Sequence, residues 1–351
     1  MTFTQHPWFR FPRTMRTPPR RPELTCPAGG LPALKAAVDH GADCVYVGFR
    51  DETNARAFAG LNFDVASLRQ GIAYAHRARC KVLVALNTYP TTAAFPRWTR
   101  AVDTAADLGV DALICADPAV MAYASATHPH LRLHLSVQAS ATNYEAIEFY
   151  RERFGIARAV LPRVLSVAQV AHTIAHSRVE IEVFGYGSLC VMVEGRCALS
   201  AYATGDSPNC QGVCSPAKAV RWEPLGERMR TRLNGFLIDE FAADERPGYP
   251  TLCKGRFEVE GATYYALEEP ASLNTLELLP QLLQIGVAAI KIEGRQRSPA
   301  YVAEVTSVWR DAIDRCLARP QEPADPLALA ALDRLSEGQA QTLGAYSRPW
   351  R

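Results

Sequence analysis

The sequence predicts an α/β protein of the (β/α)8-barrel type, and three observations lead there. Short apolar runs recur eight times, amphipathic helical windows separate most of them, and 351 residues with 48% apolar content can bury one large core. Length alone also allows two medium domains; the strand–helix repeat favours the barrel over an open doubly wound sheet.

The first unit is "ELTCPAG" from Glu23, then "LPALKAAVDHGAD", then "CVYVG". In its middle part Leu31, Leu34, Ala37 and Val38 form a stripe at helical period, and Gly41 suits the helix end. Further strands are expected at Val82 to Leu86, Ala112 to Cys115, Leu133 to Val137, Ala157 to Leu161 and Val179 to Phe184. The eighth is "VAAIKIEG", after a helix expected over Ser272 to Gly286 with Ser272 as its N-cap; "SPAYVAEVTSVWRDAIDRCLA" closes the barrel as the last helix.

The domain plan is then an Arg/Pro-rich, disordered extension over 1–21, the first part of the barrel over 22–185, a cysteine-bearing insertion over 186–271, the last part of the barrel over 272–319 and a C-terminal extension over 320–351. The window Leu327 to Leu335 reads as a helix packed on the barrel exterior. The insertion falls between strand seven and its helix, where barrel enzymes build their sites.

No run approaches the ~18 apolar residues of a membrane span, and the N-terminus lacks the apolar core of a secretory signal, so a cytoplasmic protein that does not span a membrane is expected. The formal charge is +2, but residues 1–21 carry five arginines and no acid, which leaves 33 basic against 36 acidic residues, or −3, for the remainder. A nucleic-acid binder usually shows a basic face, so no nucleic-acid partner is expected. No H-E-x-x-H, G-x-S-x-G, P-loop or G-x-G-x-x-G motif occurs, which removes support for common hydrolase and nucleotide chemistries. His128, His130 and His134 read as an exposed turn rather than a metal cluster.

Of ten cysteines, Cys190, Cys197, Cys214 and Cys253 fall in the insertion with spacing C-x6-C-x16-C-x38-C. That spacing matches neither zinc ribbons nor the compact ferredoxin run. Four thiolates brought together repel unless a cation neutralises them, so metal ligation, by an iron–sulfur cluster or zinc, is weighed against scattered core thiols. Gly185, Gly187, Gly195 and Gly212 allow close backbone approach, and Arg196, Lys218, Lys254 and Arg256 could offset thiolate charge or form a solvated face. Cys26, Cys44, Cys80, Cys115 and Cys316 read as small buried hydrophobes; Cys210 is a spare thiol that could substitute through its C-x3-C spacing to Cys214.

At "FGYGSLCVMVEGRCALS" the chain resembles the collagenase-like peptidase family, whose label covers proteins with other activities. The resemblance runs from Glu23 to Arg351 through "SVQASATN", "YPTLCKGR", "LEEPASLNTLELLP" and "IKIEGRQRSPAYV". It implies a 4Fe-4S cluster on Cys190, Cys197, Cys214 and Cys253, and a heterodimer with a sister protein of the same family. Glu194 agrees with the oxygen-independent ubiquinone-biosynthesis branch. That branch implies hydroxylation of the aromatic ring of prenylated ubiquinone precursors without dioxygen; RNA-hydroxylating relatives draw the oxygen from prephenate, the same donor is expected here, and a long prenyl tail needs an apolar groove or a lipid-carrier protein. The alternatives are a peptidase, an RNA-modifying hydroxylase of the same family, or a zinc-stabilised scaffold. The arginine-rich extension and Cys210 depart from the family pattern. Polar residues expected at the barrel mouth are Arg56, Asn62, Asn87, Gln138, Glu293, Arg295 and Arg297. For a dicarboxylate donor Arg56 and Arg295 are the chosen substrate-binding residues, since a guanidinium grips carboxylate bidentately; alternatively these arginines pair with Glu293 and Asp51 to fix loops. No catalytic residue is assigned.

Overall fold

The computed structural model describes residues 21–190, 197–245, 247–336 and 340–347. Eight strands pair in parallel: β1 (Glu23–Pro27), β2 (Cys44–Val47), β3 (Lys81–Leu86), β4 (Ala112–Cys115), β5 (Arg132–Leu135), β6 (Arg158–Val160), β7 (Glu180–Ser188) and a late strand, Ala289–Ile292. The late strand pairs on one side with β1 and on the other with β7, Ala289 lying opposite both Glu23 and Glu182, which closes the barrel as the sequence predicts. Helices α1 (Leu31–Asp39), α2 (Val65–Arg77), α3 (Phe95–Asp107), α4 (Pro118–Thr127), α5 (Tyr144–Phe154) and α6 (Val167–His176) alternate with the first seven strands.

Local chemistry sets the helix starts. Asp64 accepts from the Ser67 amide while the Ser67 hydroxyl reaches back, and Ser166 and Gln169 do the same for α6. Asp117 caps α4 ahead of Pro118. Each such cap is worth about 1 kcal/mol.

The strands alternate between two surfaces. Val45, Val47, Val82, Val84 and Leu113 face the helices, while Cys44, Tyr46, Leu83, Ala85, Ala112 and Ile114 form a separate cluster that fills the β2–β4 side of the lumen. The opposite side is charged. Arg158 donates to Glu23 (2.6 Å), Glu180 (2.6 Å) and Glu182 (3.1 Å), and the Lys291 ammonium donates to the second Glu182 oxygen at 2.8 Å. Burial alone would raise the Glu182 carboxyl, but the Lys291 and Arg158 charges outweigh it and hold it at about 2. His134 belongs to this wall. It is buried on β5, and burial with the Arg158 charge lowers it to about 3, so the expected exposed turn is corrected for this residue. His128 pairs separately with Asp103 at 2.8 Å.

Between β7 and the late strand the chain forms α7 (Ala198–Thr204), α8 (Pro208–Gln211), an antiparallel sheet of β8 (Val220–Leu225), β9 (Arg228–Leu233) and β10 (Phe236–Phe241), and a hairpin of β11 (Arg256–Val259) and β12 (Ala262–Tyr265). The helix expected from Ser272 is not what forms. Ala271–Asn274 is β13, antiparallel to the extended end of β7 with Ser272 opposite Ser188; the helix, α9, is only Leu279–Gln284. Strand β7 outruns its barrel neighbours, and its open edge takes the four-residue segment as a partner. The late barrel strand is then β14, followed by α10 (Pro299–Ala318).

In the C-terminal extension α11 (Pro326–Leu335) lies on α10, and Leu332 is fully buried. The last described strand, β15 (Ala340–Thr342), pairs with β13. Residues 1–20 of the arginine-rich extension lie outside the described residues. Among the described residues no helix is long and apolar enough to cross a membrane.

Candidate functional site

The C-terminal ends of the barrel strands open onto a small hollow. Arg56, Arg163 and Arg295 line it against one carboxylate, Glu293, and Lys291 reaches its floor while paired below with Glu182. The hollow therefore favours an anion.

Arg295 follows β14 and is 3% exposed, yet its Nε and Nη1 have no hydrogen-bond partner among the described residues. Burial lowers it to about 10, still charged at neutral pH. The Tyr46 ring lies 5.7 Å from its guanidinium carbon and 3.9 Å from Lys291 Nζ, and the Tyr46 hydroxyl donates to the Ile292 carbonyl at 2.8 Å. Gly48 makes the space: a Cβ there would stand 2.6 Å from Arg295 Nη1. Unmet donors on a buried charge cost several kcal/mol, and an anion seated on them would recover those bonds.

Arg56 stands on the loop after β2. Asn62, in the left-handed region at φ 72°, donates to its carbonyl at 2.7 Å, and Arg56 Nε lies 3.6 Å from Glu293 Oε1. Asn87 accepts from the Ala55 amide at 2.9 Å and donates to Ser136 at 3.0 Å. Of the polar residues expected at the mouth, Arg56, Asn87, Gln138, Glu293 and Arg295 line the hollow. Asn62 supports the Arg56 loop instead. Arg297 departs from the expectation: it stacks on Tyr301 at 4.3 Å and donates to the Leu335 carbonyl, away from the mouth. The loop-fixing alternative holds for the Arg56–Glu293 pair, whereas Asp51 accepts from Thr53. Arg163 and Lys291 were missed. Lys291 carried a signal, a charge at an inward position of a short apolar strand; Arg163, over the Phe184 ring at 4.2 Å and bonded to the Ser188 carbonyl, carried none.

Beside this hollow the chain ties the cysteine segments together. Cys197 caps α7 and its sulfur accepts from the Ser200 amide at 3.3 Å, while the Ser200 hydroxyl donates to the Cys214 carbonyl. The Tyr249 hydroxyl donates to the Ser215 carbonyl at 2.9 Å, which brings in the segment ending at Cys253. Cys190 lies two residues past the end of β7. Cys214 touches solvent but is ringed by protein. Burial pushes its thiol up, Arg56 opposes, and charge on Cys190 and Cys197 adds to the rise. Cys253 is pushed up to about 11 by burial, with Cys214 and Cys190 adding to it.

The four thiols thus lie in one electrostatic neighbourhood. Among the described residues no three His, Cys, Asp or Glu side chains are gathered tightly enough to grip a metal ion. The donor chemistry fits a thiophilic centre, four soft sulfurs whose mutual repulsion a cation would relieve, and binding would draw them closer. Cys210 sits in α8, its amide bonded to the Ser207 carbonyl.

The model of peptidase family U32 matches residues 29–347. A relative named tRNA hydroxylation protein P1, from Bacillus subtilis (strain 168), is 30% identical over 86% of this chain and 65% of its own length. tRNA hydroxylation protein P of Escherichia coli (strain K12) is 31% identical over 90% of this chain and 72% of its own length. The chain thus spans about two thirds of the first of these relatives and somewhat more of the second. Among solved structures, that of the U32 peptidase Mk0906 aligns with 51% of this chain and 74% of its own at 15% identity and a TM-score of 0.40. The extent of the family match leaves one conclusion: the chain belongs to peptidase family U32.

Proposed function

We propose that this chain is the iron–sulfur component of a dioxygen-independent hydroxylase, with Cys190, Cys197, Cys214 and Cys253 holding a 4Fe-4S cluster beside the barrel mouth. The observation that carries it is the double use of Ser200, whose amide meets the Cys197 sulfur while its hydroxyl meets the Cys214 backbone, so that residues far apart in sequence share one small region. A cluster with four cysteine ligands would supply electron transfer or electrostatic support there. This chain's residues would do the rest: Arg295 anchors an anionic oxygen donor, Arg56 takes a second carboxylate, and the Tyr46 ring floors the hollow. Prephenate is the donor we expect.

The relatives' names support an RNA base as substrate, and that reading comes first. A second is kept because the chain beyond residue 21 has a charge of −3, with little surplus cation to meet a phosphate backbone. It is the aromatic ring of a prenylated ubiquinone precursor, in keeping with the sequence's resemblance to the oxygen-independent ubiquinone-biosynthesis protein UbiU. In that case a UbiV-like sister protein would be the heterodimer partner and a lipid-carrier protein would present the tail.

Anaerobically purified protein, alone and with its copurifying chain, should be incubated with prephenate and either undermodified tRNA or a prenylated phenol, and products read by mass spectrometry for one added oxygen. Cys214→Ala should abolish the gain while Cys210→Ala keeps it. Cleavage of gelatin with no oxygen added to either substrate would overturn the reading in favour of a peptidase.

A further inference from the structure

We propose that the hollow and the cysteine group are one coupled unit, in which a dicarboxylate seated on Arg295 draws Arg56 from Glu293 and thereby orders the two backbone segments that lead into Cys190 and Cys214. The inference deepens the proposed function and rests on its assignment of an anion to the mouth.

The geometry is one of direct contact between anion-binding loops and cysteine-bearing turns. Gly212, two residues before Cys214 and at φ 80°, lies flat on the Arg56 loop: a Cβ there would stand 2.3 Å from the Asn54 carbonyl oxygen. The Tyr89 amide also bonds the Asn209 carbonyl at 3.1 Å, so the turn rests on two strand-end loops of the barrel. Gly187, three residues before Cys190 and at φ 121°, meets Glu293 in the same way, with a Cβ there 2.6 Å from Glu293 Cβ. Neither glycine leaves slack. A shift of the Arg56 loop or of Glu293 therefore reaches the backbone beside each cysteine. Close-packed contacts pass such displacements on rather than absorb them.

The movable joint is the Arg56–Glu293 pair. Its Nε–Oε1 separation of 3.6 Å exceeds hydrogen-bond range, the Arg56 side chain is 31% exposed, and its Nη1 donates to the Ala55 carbonyl of its own loop at 2.8 Å, so guanidinium and loop move together. Arg295 by contrast is buried, and its two unmet donors supply the fixed seat. A dicarboxylate spans seat and joint, satisfying Arg295 with one end and competing with Glu293 for Arg56 with the other.

The probe is malonate. Hydrogen exchange of the amides in 186–190 and 209–214, followed on the protein as purified, should slow on malonate addition. Arg56→Gln should still bind malonate through Arg295, more weakly, and lose that slowing; Arg295→Gln should lose binding. Malonate binding that leaves both segments unchanged, or no binding by the native protein, overturns the coupling. This readout needs no iron, so absence of a cluster would defeat the proposed function while leaving the coupling decided on its own terms.

Discussion

At the lower end of the barrel lumen Arg158 meets three carboxylates, and Lys291 and Arg158 share Glu182 between them, whereas at the mouth Arg295 is equally buried and keeps two donors without a partner among the described residues. One fold thus holds two kinds of buried cation. Below, geometry satisfies every charge, and the ions serve the barrel itself; above, the protein bears the cost of an unmet guanidinium at the end where barrel proteins bind their ligands. A buried charge left without a partner at that end is what the proposed anion seat on Arg295 would use, whereas the paired ions below act as struts.

Three substitutions and conditions sharpen this contrast. The largest effect is expected from Glu182→Gln, which leaves Lys291 and Arg158 undercompensated in the lumen and should cost about 3–5 kcal/mol in urea unfolding. Next is acid. Glu23 and Glu182 are both held at about 2 against an ordinary 4.5, for which burial works the other way and the neighbouring cations prevail. With folded values below unfolded ones, their stabilisation is complete above about pH 4.5 and is lost as pH falls toward 2. His134, lowered to about 3 from 6.5 chiefly by burial, adds a loss in the same direction that begins near pH 6.5. Unfolding midpoints measured from neutral pH downward should trace this decline, and Glu182→Gln should flatten its lower part. The smallest loss is expected from Arg295→Gln, which should leave stability unchanged or raise it, because it removes an unmet buried charge and sacrifices no bond. A loss as large as that of Glu182→Gln would erase the distinction between strut and seat.

The barrel was legible because strands buried on both faces write continuous apolar runs, as at Val82 to Leu86 and Ala112 to Cys115, and because stripes at helical period such as Leu31, Leu34, Ala37 and Val38 lie between the runs. The insertion hid its sheets. In β9 Arg228, Arg230 and Arg232 alternate with Met229, Thr231 and Leu233, a surface strand whose arginines pair with Glu240 and Glu223, and its apolar face is too short to stand out. The turn after it, Asn234-Gly235 with φ of 48° and 87°, is a hairpin signal that the cysteines overshadowed. Ser272 misled because "SLNTLELLP" has helical spacing, and only the overhanging edge of β7, a tertiary feature, turns its first residues into a strand.

The site divides in the same way. A polar side chain at a strand end is visible in sequence, so Arg56 and Arg295 could be chosen. That Arg295 would be buried in the room left by Gly48 with unmet donors, and Arg297 turned onto Tyr301, depends on neighbours that no local pattern specifies. Likewise C-x6-C-x16-C-x38-C does not say that the thiols meet. Ser200 and Tyr249, the residues that tie their segments together, look like ordinary loop and helix positions.

Whether the cysteines act as one centre is tested most directly by iron and acid-labile sulfide assayed on protein purified without oxygen. About four of each per chain are expected for the native protein and for Cys210→Ala, with loss of both on replacing any of Cys190, Cys197, Cys214 or Cys253 by alanine. Zinc in place of iron, or iron that survives Cys214→Ala but not Cys210→Ala, would contradict the proposed cluster.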